Sequence, residues 1–168
     1  MAICITRRAA VAAAFGGLLL ATMPSLAADD PAIAFAKSLY ALHNKWGDVV
    51  ASDAAMAQYL TAEFAAVVKE NASYSSDLDY AVDYDPLTQS QDWDLKGLKF
   101  AAPKSGDLMT NTVVVTFSNS GRKETVRLSL LKTAAGWRLA DLFDAKGASL
   151  LQEYRDLNTA GRAVKAGN

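Results

Sequence analysis

The spacing of apolar residues changes once along this chain, and that change limits the folds open to it. Between residues 31 and 71 apolar side chains recur at three- and four-residue steps; between 98 and 143 they alternate. The first pattern lays one apolar stripe along a helix, and the second one apolar face along a strand. Helices followed by strands joined through short turns predict an α+β fold, with helices packed on one face of an antiparallel sheet.

The punctuation agrees with the pattern. Asp29, Asp30 and Pro31 suit the start of a helix running to about Trp46, with Ile33, Ala36, Leu39, Leu42 and Trp46 on its stripe and Gly47 at its end. A second helix is predicted from Ser52 or Asp53 to about Asn71, carried by Met56, Leu60, Phe64 and Val67. Residues 73–94, rich in Tyr, Asp and Ser, read as a long loop. Leu98 and Phe100 mark one strand, Asn111–Phe117 a second, Thr125–Leu131 a third and Trp137–Phe143 a fourth. Asn119-Ser120-Gly121 and Ala135-Gly136 supply turns, and Ser149–Leu157 predicts a short closing helix. The expectation is two N-terminal helices on a curved antiparallel sheet of about four strands, closed by a short C-terminal helix.

Residues 1–27 read differently. Arg7 and Arg8 precede an apolar run from Ala9 to Met23, and Ser25-Leu26-Ala27 places small residues before Ala28. This is the layout of a cleaved secretory signal peptide, and the paired arginines leave both the twin-arginine and the general secretory route open. At about fifteen residues the run is short for a permanent membrane span. The only cysteine, Cys4, lies within this leader. The expected mature chain, residues 28–168, therefore has no disulfide and no site for a lipid anchor, and is expected in the periplasm or secreted.

About 140 residues remain, enough for a single domain. The leader removes two of the 17 Lys+Arg and none of the 18 Asp+Glu, which leaves a net charge of −3. Nucleic-acid binding is not expected without a basic surplus. The net charge alone gives no reason to expect an anionic membrane surface as partner. Without a mature Cys there is no thiol nucleophile or Cys zinc site, and with one His there is no His-rich metal site. No Gly-x-Ser-x-Gly elbow or Gly-rich phosphate loop occurs, so no cofactor or metal is expected.

The one unusual stretch is acidic. Asp77, Asp79, Asp83, Asp85, Asp92 and Asp94 fall between Lys69 and Lys96 with no Lys or Arg among them. Solvated turn residues, a surface for a cationic ligand or partner, and a calcium loop are the three readings. Calcium of the helix–loop–helix type fails on spacing: counting from Asp77, Val82 and Thr88 stand where Gly and Glu are required.

The loop Asp83-Tyr84-Asp85-Pro86-Leu87 with Gln91-Asp92-Trp93-Asp94, the strand Gly136-Trp137-Arg138-Leu139-Ala140-Asp141-Leu142 and the Ser149-Leu150 helix resemble the bacterial envelope family called domain of unknown function 3828. That family lies within the cone-shaped fold of nuclear transport factor two, and the resemblance spans residues 33–157. It implies a cone with an interior pocket, and pairing of two copies through the open sheet face at Arg127, Ser129 and Arg138. It implies no shared activity. In related folds an Asp with a Tyr or His in the pocket moves protons beside a carbonyl. The candidates here are Asp83 or Asp85 with Tyr40, His43 or Tyr80.

Two functions follow as expectations. The first is a non-enzymatic exported module that binds a small ligand or an envelope protein through Asp83, Asp85, Gln91, Asp92 and Trp93, with Tyr40, Tyr80 and His43 about the pocket. The second is a small lyase or isomerase with an Asp general base.

Overall fold

Asp30 caps the first helix: its Oδ1 accepts the Ala32 N–H at 2.8 Å, and Pro31 fills a position that needs no donor. The computed structural model describes residues 30–74, 81–103 and 107–167. The leader, Asp77, Asp79 and Tyr80 lie outside the described residues. The order is α1 (Pro31–Ala41), α2 (Lys45–Val50), α3 (Asp53–Tyr59), α4 (Ala62–Ala72), β1 (Leu95–Ala101), β2 (Thr110–Asn119), β3 (Arg122–Thr133), β4 (Gly136–Phe143) and α5 (Leu150–Gly167).

Both helices expected in the N-terminal half are split. The first stops at Ala41, because Leu42 is extended (ψ 145°) and Lys45 restarts the helix from a φ of +32°. Gly47 does not end a helix; it lies inside α2, and a Cβ there would fall 2.1 Å from Asn44 Nδ2. The second breaks at Leu60 and Thr61. Leu60 pairs with Leu139 as a single parallel bridge, and the Thr61 N–H donates to the Leu139 carbonyl at 3.0 Å. The break thus shields part of the outer edge of β4. Ser52 and Thr61 then cap α3 and α4 through the N–H groups of Ala55 (3.1 Å) and Phe64 (3.3 Å).

The four strands form one open antiparallel sheet in the order β1-β2-β3-β4. Val113 pairs with Leu128 and Leu128 with Leu142, while Val115 pairs with Phe100 on one side and Val126 on the other. These residues share the face on which α1 lies against β1, β2 and β4, and α3, α4 and α5 against β4. The strand alternation therefore divides a covered face from an uncovered one, as expected. At the centre of the helical layer the fully buried Phe64 meets Trp46 (5.8 Å between ring centroids) and Tyr154 (6.3 Å). Trp46 Nε1 donates to the Tyr154 hydroxyl at 3.0 Å, and burial pushes that hydroxyl up to about 12.

The closing helix is much longer than its sequence stripe implied. Asn158 holds its second half: Asn71 Nδ2 donates to Asn158 Oδ1 at 3.0 Å, and Asn158 Nδ2 donates to the Val67 carbonyl at 2.9 Å. One turn on, Gly161 is buried against the Tyr74 ring, so closely that a Cβ would stand 2.8 Å from it. Gly161→Val is expected to lose about 1–3 kcal/mol by overpacking, read as a lowered urea midpoint with an unchanged slope.

Candidate functional site

Asp85 is the residue on which the 81–94 loop is built. Its Oδ1 accepts the N–H groups of Leu87 (2.8 Å) and Thr88 (3.2 Å), and its Oδ2 accepts the Trp46 N–H at 2.9 Å. The last bond caps α2, whose own cap position, Asn44, makes no side-chain bond to it. Burial pushes the Asp85 carboxyl above the usual carboxylate range, while the three N–H groups and Lys45 pull it back down. Both oxygens are engaged in holding backbone, so Asp85 acts as a clasp between the loop and α2. Asn119 extends the same anchor, donating from Nδ2 to the Thr88 carbonyl at 3.0 Å and accepting the Asp94 N–H at 2.9 Å.

Tyr40 lies below the clasp, packed on Phe100 (5.6 Å) and Phe117 (5.9 Å). Its buried hydroxyl has no hydrogen-bond partner, and burial together with the Asp85 charge holds it far above the ordinary phenol range. His43 and Trp93 line one surface cleft of about 680 Å³ with Ala41, Leu42, Asn44 and Lys45. Lys45 is itself nearly buried, donates to the Leu42 carbonyl and stands 5.9 Å from the centre of the Trp93 ring. Asp83, Gln91 and Asp92 are exposed; the Gln91 Nε2 donates to the Asp83 carbonyl at 3.0 Å, which closes the loop on itself. The structure thus gathers His43 and Trp93 at one cleft, sets Asp85 and Tyr40 into the packed interior, and leaves the other three side chains in solvent. Among the described residues, no three His, Cys, Asp or Glu side chains group as a metal site.

A different cleft brings together residues that sequence reasoning passed over. It lies at the end of the sheet away from the 81–94 loop and holds about 610 Å³. Its walls come from the start of α1 (Asp30, Pro31), the β1–β2 connection (Ala102, Pro103, Asp107, Leu108), β2 (Asn111), β3 (Lys132) and β4 (Gly136, Trp137). The first cleft draws five of its six lining residues from the single run 41–45. This second one converges from three strands, the β1–β2 connection and the start of a helix, a concave arrangement suited to a ligand.

Its polar groups are few and differ in their engagement. Asp30 holds the Ala32 N–H. Asp107 holds the Met109 N–H (2.8 Å) and the Thr110 hydroxyl (2.7 Å), and these bonds keep its carboxyl below the usual range. Asn111 Oδ1, by contrast, is buried and accepts no hydrogen bond. A buried carbonyl left without a donor costs about 1–3 kcal/mol, and such groups in native proteins call for an explanation.

The sequence held a signal for this site. Asn111 continues the covered-face positions Val113, Val115 and Phe117 of β2, and Lys132 those of Val126, Leu128 and Leu130 on β3. Polar residues thus replace apolar ones at the same end of two neighbouring strands.

No family model matches the chain, and no curated protein does. Among solved structures, it is similar to the phospholipid-binding protein from Ralstonia solanacearum solved in complex with a phospholipid. The two share 17% identity over 83% of this chain and 79% of that one, with a TM-score of 0.38. Among the described residues, no helix is long and apolar enough to cross a membrane.

Proposed function

We propose that this protein is an exported, non-enzymatic module that holds a small amphipathic ligand in the cleft at the end of its sheet. The observation that carries this reading is the orphaned Asn111 carbonyl in a cleft walled by Pro31, Pro103, Leu108 and Trp137. A ligand with an apolar body and an N–H or O–H donor satisfies both features, and an acidic group on it meets Lys132. The volume suits such a molecule, since pockets for small ligands run from about 300 to 1,000 Å³. The export half of the proposal rests on residues 1–27 alone. Helices confined to one face of a four-stranded meander support kinship with the nuclear transport factor two-like cone and, within it, with domain of unknown function 3828.

The lyase or isomerase reading has less behind it. Asp83 is exposed, and Asp85 is buried with both oxygens directed at backbone N–H groups. A general base needs its carboxylate directed at a substrate.

Anilinonaphthalene sulfonate carries each feature the cleft asks for: aromatic rings, one N–H and a sulfonate. We expect it to bind saturably to the folded protein with a rise in its fluorescence. Asn111→Leu, which removes the acceptor at similar volume, is expected to weaken binding about tenfold, the cost of one lost hydrogen bond in a desolvated site. Equal affinity in the variant, with its melting temperature unchanged, would overturn the assignment of the site.

A further inference from the structure

The net charge of −3 over residues 28–168 conceals a strong division. Residues 28–94 carry three Lys or Arg against twelve Asp or Glu, whereas residues 95–143 carry eight against three. The four strands are basic, with seven Lys or Arg against two Asp or Glu, whereas the five helices balance at six of each. The register then decides which face of the sheet receives the cations.

Three adjacent rows cross the uncovered face. Lys96 of β1 pairs with Ser118 of β2, which pairs with Lys123 of β3; Lys99 pairs with Thr116, which pairs with Thr125. In the third row Ala101 pairs with Val114, Val114 with Arg127, and Arg127 with Phe143, over whose ring its guanidinium stands at 5.8 Å. Four cations therefore surround a patch of Ser and Thr hydroxyls on a face that no helix covers among the described residues. With strands about 4.8 Å apart and about 3.4 Å per residue along them, Lys96 and Lys123 stand roughly 10 Å apart, and Lys123 and Arg127 roughly 13 Å. Lys96 holds Asp94 at 2.7 Å. Lys99 and Lys123 are exposed and have no acidic partner among the described residues.

We infer that this face docks the protein on an anionic phospholipid surface. Two copies meeting face to face would set Lys and Arg against Lys and Arg, which disfavours pairing through this face. Head-to-tail contact would set the basic face against helices that are neutral overall, which offers it no charge complement. A partner of opposite charge remains. The cations are spread over three rows and do not converge on one point, which suits laterally mobile phosphates that can each find a Lys or Arg. The half-exposed Leu131 on the same face and Leu98 at the β1 bulge add apolar contacts at its borders. The charge-balanced helices are then directed away from the lipid. The inference is independent of the cleft, because none of these residues lines it.

Co-sedimentation of the full chain with vesicles tests this. We expect partition onto vesicles of phosphatidylcholine with phosphatidylglycerol, and much less onto phosphatidylcholine alone, with the difference vanishing in high salt. The triple variant Lys99→Gln, Lys123→Gln, Arg127→Gln is expected to lose at least about tenfold in partition, since each surface cation contributes roughly fivefold. The matched variant Lys69→Gln, Arg155→Gln, Arg162→Gln removes as many charges from the helical side and should partition like the wild type. Comparison within one chain cancels any contribution of the apolar leader. Equal partition onto both vesicle types, equal loss in the two triple variants, or capture by polyglutamate without partition onto anionic vesicles would each overturn the inference.

Discussion

Asp85→Ala is expected to lose about 3 kcal/mol of folding free energy, because it strands the buried N–H groups of Trp46, Leu87 and Thr88 together. Asp85→Asn should cost less, about 1–2 kcal/mol, since an amide oxygen still serves Leu87 and Thr88 while its NH₂ opposes the Trp46 donor. Urea unfolding followed by tryptophan emission reads both values. The pH dependence has a definite sign. Burial holds the Asp85 carboxyl above its unfolded value, so its contribution to stability is full below the ordinary carboxylate range and declines as pH rises through the folded value. The stability gap between wild type and Asp85→Asn should therefore be wider in acid than at neutral pH. A gap that widens toward neutral pH would contradict the balance of burial and hydrogen bonding described for this group.

Phe64→Ala is expected to cost more, about 4 kcal/mol, out of a total that for domains of this kind is about 5–15 kcal/mol. Phe64 is fully buried and is the ring on which Trp46 of α2 and Tyr154 of α5 both pack. Removing it opens a cavity where three helices meet, and no neighbouring side chain can fill that space without leaving its own contacts. Phe64→Leu, which keeps most of the volume, should lose about half as much. Calorimetric melts of the two variants separate cavity formation from any loss of the Trp46–Tyr154 hydrogen bond. That bond is kept if the Trp46 indole signal stays in place.

The sheet was the most legible part of the chain, because period-two alternation depends on burial of one face and little else. Val113, Val115 and Phe117 opposite Val126 and Leu128 specify face and register together. The helix breaks were not legible. Leu42 and Leu60 continue their apolar stripes in sequence, yet the chain leaves the helix at both points because distant partners reward it. Asp85, 39 residues from Trp46, caps the restart of α2, and Leu139 takes the Thr61 N–H across the edge of β4. The end of α5 was hidden for a similar reason, since Asn158 and Gly161 are polar or small and their packing against Asn71 and Tyr74 leaves no apolar stripe to read.

The candidate site shows the same division. The acidic loop drew attention by its composition, but its buried member among the described residues, Asp85, serves the backbone, and Asp83 and Asp92 face solvent. Asn111, Lys132 and Trp137 are ordinary strand residues one at a time. They become a site only when the register sets them at the end of the sheet beside the start of α1. The charged face was hidden more deeply, because summing over the chain cancels an acidic half against a basic one.

The indole N–H signals of Trp46, Trp93 and Trp137 in a ¹H–¹⁵N spectrum provide the most direct test of the ligand cleft. Trp137 lines that cleft, Trp93 lines the one beside α2, and Trp46 is tied to Tyr154 in the interior. On titration with anilinonaphthalene sulfonate, the Trp137 signal should shift along a saturable curve while those of Trp46 and Trp93 stay in place. A saturable shift at Trp93 with Trp137 unmoved would contradict the account and place the ligand at the cleft of His43 and Lys45.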